Sequence, residues 1–354
     1  MADETLILTE VRGTLGVITL NRPRAINSLS LEMLQGIDRA LTDFQHDSRV
    51  AAVLITGAGE RGLCAGGDIV ALHRHITAGE HPEIEEYFRA EYSLNYRIST
   101  YPKPIVALMD GVVLGGGVGV SAHASHRIVT ERSRVGMPET IIGFAPDIGA
   151  LKLLSAAPRQ LGTMMAMTGT HALTSDALVT GLADYYVPSE KLDELLKYLQ
   201  TATDAQSIEL VIDKFVAEPP ASRFAENAAW IAKAFAGNDP VTIRDRVVAE
   251  AERGNEFAAE LVKALEHNSP TGISMALVGV RRAKTATLAE TLNADLVMAV
   301  NSATHHDLRE GIRAQVIDKD RNPSWEYDGL ESVPAGYAAE FYSAPEGLKP
   351  LGLK

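Results

Sequence analysis

Two acids in an apolar segment broken by proline and glycine are the residues best suited to chemistry. Glu139 and Asp147 lie in MPETIIGFAPDIG, residues 137–149. Apolar neighbours favour burial, and burial perturbs the pKa of a carboxyl group. Such a pair can act as general base, general acid or nucleophile. The alternatives are that both acids are solvated, as most are, or that Asp147 caps the helix expected after Pro146.

Two glycine-rich loops could supply backbone N–H donors next to these acids. The first, LCAGGDI at 63–69, follows the apolar run AAVLIT, and the second, GGGVG at 115–119, comes after IVALM. Glycine has no Cβ, so a ligand can approach its backbone closely, and glycine turns present N–H groups to anions. The pattern predicts donors for a developing oxyanion. For the first loop, a purely structural turn is the alternative.

A dinucleotide-binding fingerprint is a competing interpretation of the second loop. Gly117, Gly119 and Ala122 fit its spacing, and Glu131 lies where a ribose-binding acid could fall. That fingerprint needs its glycines directly after the strand, whereas residues 111–114 intervene here. It also leaves the first loop and the acids unexplained, so we favour the oxyanion interpretation.

Other candidate residues carry weaker signals. Glu91, in FRAEYSLN, falls on a predicted helix near Arg89 and Arg97, where a surface ion pair is the default expectation. The histidines considered for a metal site are His123, His126, His171, His305 and His306. They share no spacing with one another or with Cys64, so no metal site is predicted.

The elements that must position these residues alternate between strands and helices. A strand, a glycine-rich loop and a helix occur in that order twice, which favours an α/β fold with its site at the strand ends. From about residue 201 the pattern is nearly all helical, so we divide the chain into a catalytic core, 1–200, and a helical C-terminal region, 201–354. The predicted strands cover 5–11, 15–20, 51–56, 105–109 and 182–187, and the main predicted helices cover 31–44, 83–100, 150–157, 161–168, 175–181, 271–284 and 287–304.

Bulk composition excludes several classes of protein. The formal net charge of −13 over 354 residues argues against a nucleic-acid partner, since phosphate binding needs a basic face. A single cysteine rules out an internal disulfide and fits a reducing compartment. No apolar run reaches the roughly 18 residues of a membrane span, and the N-terminus is acidic where a signal peptide would be basic. We therefore expect a soluble, cytoplasmic protein.

Four motifs together resemble the crotonase (enoyl-CoA hydratase/isomerase) superfamily: LNRPRAINSLS, GLCAGGDI, GGGVGVSAHASHRI and MPETIIGFAPDIGA. Within it the chain most resembles the 3-hydroxyisobutyryl-CoA hydrolase branch, through FRAEYSLN, MPET followed by PD, SPT at 269–271, and HDLREGIRAQVIDKDRNPSW. The resemblance implies a β-β-α superhelix with a helical C-terminal region. It also implies an acyl-CoA substrate without a separate cofactor. Trimers or hexamers are common among such proteins, although the longer tail here could instead fold back over its own site.

The resemblance also implies a role for individual residues. The N–H groups of Gly67 and Gly116 would form an oxyanion hole for the thioester carbonyl, Glu139 and Asp147 would be catalytic, and Glu91 would hold the acyl group. The residues implied at the CoA moiety are Ala65, Gly66, Asp68 and Ile69 for the adenine, with Arg22 and Arg24 for the phosphates.

One position separates hydrolase from hydratase chemistry. Hydratases of the superfamily use two glutamates, and the one expected two residues after the glycine triplet is Gly119 here. Glu139 matches the other glutamate. We therefore expect hydrolysis of a short branched 3-hydroxyacyl-CoA, as in valine breakdown, with 3-hydroxyisobutyryl-CoA as the substrate. An enoyl-CoA hydratase or isomerase and a non-catalytic acyl-CoA-binding protein are the alternatives.

Overall fold

The computed structural model describes residues 5–353, and their contacts divide the chain into two compact units. Each unit is assembled from separate stretches of chain. The first unit holds 5–67, 93–135 and 172–222, and the second holds 68–92, 136–171 and 223–353. The domain boundary near residue 200 stays a prediction.

The strands of the described chain all contribute to the first unit. They are β1 (Ile7–Arg12), β2 (Leu15–Leu20), β3 (Ala52–Gly57), β4 (Ile105–Met109), β5 (Val112–Leu114), β6 (His126–Val129), β7 (Arg134–Gly136), β8 (Ala172–Leu173) and β9 (Tyr185–Tyr186). Six form one sheet in the order β1-β2-β3-β4-β6-β9, and β5, β7 and β8 form a small second sheet. In the large sheet only β1 and β2 pair antiparallel. The strands predicted at 5–11 and 15–20 pair as a hairpin, and the strands predicted at 51–56 and 105–109 are confirmed.

The helices follow the predicted pattern closely. They are α1 (Leu31–His46), α2 (Ile69–Ala78), α3 (His81–Ser99), α4 (Gly116–Gly119), α5 (Ala150–Ala156), α6 (Leu161–Thr168), α7 (Thr174–Thr180), α8 (Leu192–Leu199), α9 (Ala205–Ile212), α10 (Arg223–Ala234), α11 (Pro240–Ala251), α12 (Glu256–His267), α13 (Pro270–Ala283), α14 (Leu288–Ser302), α15 (His306–Ile312) and α16 (Tyr337–Glu340). Among residues 5–353, none of these helices has the length and apolar character needed to cross a bilayer.

The helices of the first unit bury apolar side chains against its large sheet. Helix α1 begins at Ser30, whose side chain accepts the N–H of Met33 at 3.3 Å, and it buries Leu34, Ile37 and Leu41. Leu195 and Leu199 of α8 pack against the large sheet, so these leucines belong to the hydrophobic core.

The second unit is nearly all helical from Arg223 onward, which confirms the sequence pattern. Helix α13 begins at Ser269, which accepts the N–H of Gly272, and α14 begins with a capping box of Thr287 and Glu290. After α15 the chain continues as one π-helical segment, Arg313–Ile317.

Candidate active site

The first glycine loop is fixed from within the first unit by the segment that carries NRPRAINSLS. The buried side chain of Asn27, itself in the left-handed region at φ 54°, donates to the carbonyls of Ala58, Gly62 and Leu63. Ala65 donates its N–H to Ile26 at 2.9 Å, and Leu29 donates to Gly66 at 2.9 Å. The segment NRPRAINSLS therefore stabilises the conformation of the first glycine loop.

The second loop lies directly against the first. Leu114 donates its N–H to the carbonyl of Cys64 at 2.9 Å. A Cβ on Gly117 would lie 2.5 Å from that carbonyl, and a Cβ on Gly66 would lie 3.8 Å from the nitrogen of Gly116. Glycine is required at 117 for this approach, and Gly66 has φ 107°, which side-chain residues rarely adopt. The two predicted donor loops are thus neighbours.

Two N–H groups on these loops have no acceptor among the residues that the structure describes. Gly116 is the first residue of α4, where a helical N–H has no partner within its own helix. Neither Gly67 nor Gly116 donates its N–H to an acceptor within residues 5–353. Paired backbone donors of this kind can stabilise an oxyanion.

Of the residues expected at the CoA moiety, Asp68 has a structural contact of its own. Its carboxylate accepts the N–H of Ala71 at 3.1 Å, which starts α2 at Ile69. Arg24 is exposed in the turn Pro23–Ala25, and the guanidinium of Arg61 donates to the Arg24 carbonyl at 2.6 Å. Arg61 is thus a further cation at this turn, and sequence reasoning missed it.

Glu139 begins a single 3-10 turn, Glu139–Ile142, in the second unit. The turn ends at Gly143, which has φ 74°, and a Cβ there would lie 2.2 Å from the carbonyl oxygen of Asp307. No continuous helix therefore joins Glu139 to Asp147, because the turn stops at Gly143.

The start of α13 holds the Glu139 turn. Ser269 donates its N–H to the carbonyl of Thr140 at 3.0 Å, and Asn268 donates to the Thr140 hydroxyl at 3.0 Å. The hydroxyl of Ser269 donates to the carboxylate of Asp307 at 2.6 Å. The SPT motif therefore has a structural contact with the candidate catalytic turn, which the sequence did not reveal.

Asp147 is buried in the second unit, with 5% of its surface exposed. Its carboxylate accepts the hydroxyl of Tyr92 at 2.7 Å. The N-cap of α5 is Gly149, so the alternative in which Asp147 caps that helix is wrong.

The default expectation for Glu91, a surface ion pair, is also wrong. Glu91 is 3% exposed, and one of its oxygens accepts no hydrogen bond from the described residues. Arg89 instead pairs with Glu85 at 2.6 Å. Residues three apart share a helix face, and the register of α3 places Glu91 on the same side as the buried Phe88.

Burial gives these acids unusual proton affinities. It raises the pKa of Glu139 well above the ordinary value, and the charge of Asp147 raises it further. Burial, followed by the charge of Asp147, also raises the pKa of Glu91 well above its ordinary value. Burial raises the pKa of Asp147 to about 7, against the lowering effect of the Tyr92 hydroxyl. Asp147 therefore has a pKa near neutral pH, the range in which acid–base catalysis operates.

A fourth buried acid, Asp295, belongs to the same electrostatic cluster and escaped sequence reasoning. It accepts the N–H of Gly149 at 2.8 Å, and burial and then the charge of Asp147 raise its pKa well above the ordinary value. A signal was present, because Asp295 lies at helical spacing between the apolar residues Leu292 and Met298. Across residues 5–353, no three His, Cys, Asp or Glu side chains are placed to hold a metal ion.

Comparison with known families identifies the fold. Residues 15–342 match the enoyl-CoA hydratase/isomerase family. The chain belongs to this family. A solved member, a carnitinyl-CoA dehydratase from Mycobacterium thermoresistibile, is 39% identical, with a TM-score of 0.90 over 97% of this chain and 98% of that one. An enoyl-CoA hydratase from Rhodobacter sphaeroides 2.4.1 is 36% identical, with a TM-score of 0.88 over 99% of this chain and 100% of its own. The predicted crotonase-like α/β fold with a helical C-terminal region is thereby confirmed.

Relatives that are named as hydrolases, rather than as hydratases, also match most of this chain. The mitochondrial 3-hydroxyisobutyryl-CoA hydrolase of Rattus norvegicus is 36% identical over 334 residues, which is 92% of this chain and 86% of the rat protein. The human protein of that name is 34% identical over 92% of this chain and 86% of its own length. The resemblance to the hydrolase branch is confirmed. These relatives are named as mitochondrial, so a cytoplasmic location for this chain stays a prediction.

Proposed function

We propose that the chain is an acyl-CoA thioesterase that converts 3-hydroxyisobutyryl-CoA and water to 3-hydroxyisobutyrate and CoA. The observation that carries this proposal is the buried pair Glu139 and Asp147, combined with Gly119 at the position of the second hydratase glutamate. Relatives named as hydrolases of this thioester support it. A role in valine breakdown follows from the substrate.

In the proposed reaction, the N–H groups of Gly67 and Gly116 donate to the thioester oxygen as it gains negative charge. Each such donor contributes roughly 3–4 kcal/mol to transition-state stabilisation, because it meets charge that develops only during the reaction. The remaining CoA contacts fall to the residues expected from the sequence, Ala65, Gly66, Asp68, Ile69 and Arg24. No cofactor beyond the substrate's own CoA is required.

Glu139 carries the bond-making step by one of two routes. Its carboxylate attacks the carbonyl carbon, the C–S bond breaks, and water then hydrolyses the resulting anhydride. Alternatively, it takes a proton from a water molecule that attacks the same carbon. In both routes the CoA thiolate leaves and is protonated to the thiol.

The neighbouring acids regulate the charge of Glu139 in this proposal. Asp147, held by Tyr92, accepts a proton near neutral pH, so it can relieve or impose repulsion on the Glu139 carboxylate. Burial raises the pKa of Glu91 well above its ordinary value, which favours the protonated form. A neutral Glu91 can donate its O–H to an oxygen of the acyl group.

A hydratase is the second candidate, because two solved relatives of high structural similarity are named as a dehydratase and a hydratase. Addition of water to an enoyl-CoA needs a proton donor and a base. With Gly119 in place of one glutamate, Asp147 would have to take over one of these tasks.

The deciding experiment measures release of the CoA thiol from 3-hydroxyisobutyryl-CoA, beside loss of enoyl absorbance from crotonyl-CoA. We expect thiol release that falls roughly 100- to 10,000-fold in Glu139→Gln, with CoA affinity retained. Glu83→Gln, which changes an exposed acid on α3, is the matched control and should keep the wild-type rate. Hydration without thiol release would establish the hydratase instead, and full activity in Glu139→Gln would remove Glu139 from the mechanism.

A further inference from the structure

Asp295 is a fully buried carboxyl that has no task in the proposed reaction. It lies inside α14, and its Oδ2 accepts the N–H of Gly149 at 2.8 Å. Its other oxygen accepts no hydrogen bond from any residue that the structure describes. Among the described residues, the bond to Gly149 is therefore the hydrogen bond that links the Asp295 side chain to the segment around Asp147.

That bond falls on a conformationally strained turn next to Asp147. Ile148 has φ 54° and Gly149 has φ 73°, so two consecutive residues adopt the left-handed region. A β-branched residue such as isoleucine rarely adopts it, and such backbone persists only where the surroundings hold it. Because Asp147 directly precedes this turn, the turn sets the direction in which its carboxyl points.

The environment of Asp295 suits a neutral hydrogen-bond acceptor. Asp295 borders a cavity of about 450 Å³ that is also lined by Leu151, Thr291 and Tyr342. Burial and then the charge of Asp147 raise the pKa of Asp295 well above its ordinary value, which favours the neutral form of this acid. A neutral acid can hold the Gly149 N–H without repelling the Asp147 carboxylate.

We propose that Asp295 is a positioning residue, which holds the Ile148–Gly149 turn through Gly149 and so orients Asp147 for catalysis. The inference rests on the proposed function, because the orientation of Asp147 matters only if Asp147 takes part in turnover. Asp295 itself does not touch the substrate in this account.

The test compares Asp295→Ala with Thr291→Ala in the thiol-release assay. Both changes fall on α14 and border the same cavity, but the Thr291 hydroxyl, among residues 5–353, donates to the Thr287 carbonyl of its own helix. We expect kcat to fall about 10- to 100-fold in Asp295→Ala, the range for a misplaced catalytic group, with KM nearly unchanged. Thr291→Ala should keep kcat. Equal kcat values for the two variants would overturn the proposal.

Two further variants separate positioning from mere stability. Asp295→Asn keeps a neutral acceptor oxygen for the Gly149 N–H, so it should recover at least a third of the wild-type kcat, and a loss as deep as in Asp295→Ala would overturn the proposal. If Asp295→Ala does not fold, Asp295→Leu fills the same space with apolar atoms and should show the same loss of kcat. Glu139→Gln is measured in parallel to separate a failure of the positioning proposal from a failure of the proposed function. Full activity in Glu139→Gln would refute the proposed function itself.

Discussion

Replacing Asp147 by asparagine should stabilise the folded protein at high pH while stopping the reaction. Burial raises the pKa of Asp147 from 3.8 to about 7 in the folded chain. The folded form then binds this proton more tightly than the unfolded chain does. The resulting stability is fully present below pH 3.8 and is lost as the pH rises to about 7.

The magnitude follows from the two pKa values. One pKa unit corresponds to about 1.4 kcal/mol, so the wild type loses roughly 3 kcal/mol through Asp147 between pH 5 and pH 8. Asparagine carries no charge at either pH, and its amide oxygen can still accept the Tyr92 hydroxyl that now donates at 2.7 Å. The stability advantage of Asp147→Asn over the wild type should therefore grow by about that amount across this range.

Urea unfolding followed at pH 5, 6, 7 and 8 measures this difference. The advantage should increase steadily up to about pH 7 and then level off. Asp43→Asn, an exposed acid on α1, is the control and should change the stability equally at each pH. Parallel curves for Asp147→Asn and wild type at every pH would refute the reasoning, because they would mean that burial does not perturb this carboxyl.

Two further changes test the surroundings of the acids. Tyr92→Phe removes the hydroxyl that lowers the pKa of Asp147, so the acid limb of the pH dependence of kcat should move to higher pH. An unchanged profile would mean that Asp147 does not control the rate. Gly143→Ala should lower the free energy of unfolding by about 1–3 kcal/mol more than Gly79→Ala does. Both glycines are left-handed, but only at Gly143 would the new Cβ meet backbone, 2.2 Å from the carbonyl oxygen of Asp307. Similar urea midpoints for the two variants would contradict this account.

The sequence predicted what depends on local pattern. The segment Ile105–Met109 is an apolar run between prolines and a glycine loop, and the structure has a strand with those bounds. Ser30 and Thr287 are side chains that cap helices, and both begin the predicted helices. These features need only neighbouring residues to form, so periodicity and capping rules suffice.

What the sequence could not supply are the long-range contacts. The charged neighbours of Glu91 on its helix favour a surface ion pair over burial, but tertiary packing buries this acid. Asp295 contacts Gly149, which is 146 residues away in the chain, and no local rule indicates such a bond. Glu91, Glu139 and Asp295 each have one oxygen that accepts no hydrogen bond from residues 5–353, and this too is visible only in three dimensions.

The sulfur of Cys64, the only cysteine of the chain, is enclosed where the two glycine loops meet, and its residue has no exposed surface. Reagents that detect liberated CoA react with any accessible sulfhydryl, so the intact enzyme should contribute no background to such an assay. Covalent labelling of Cys64 without substrate then requires the loops to part. The rate of labelling would therefore measure how often the two glycine loops separate. This measurement needs no engineered probe, because Cys64 is already present.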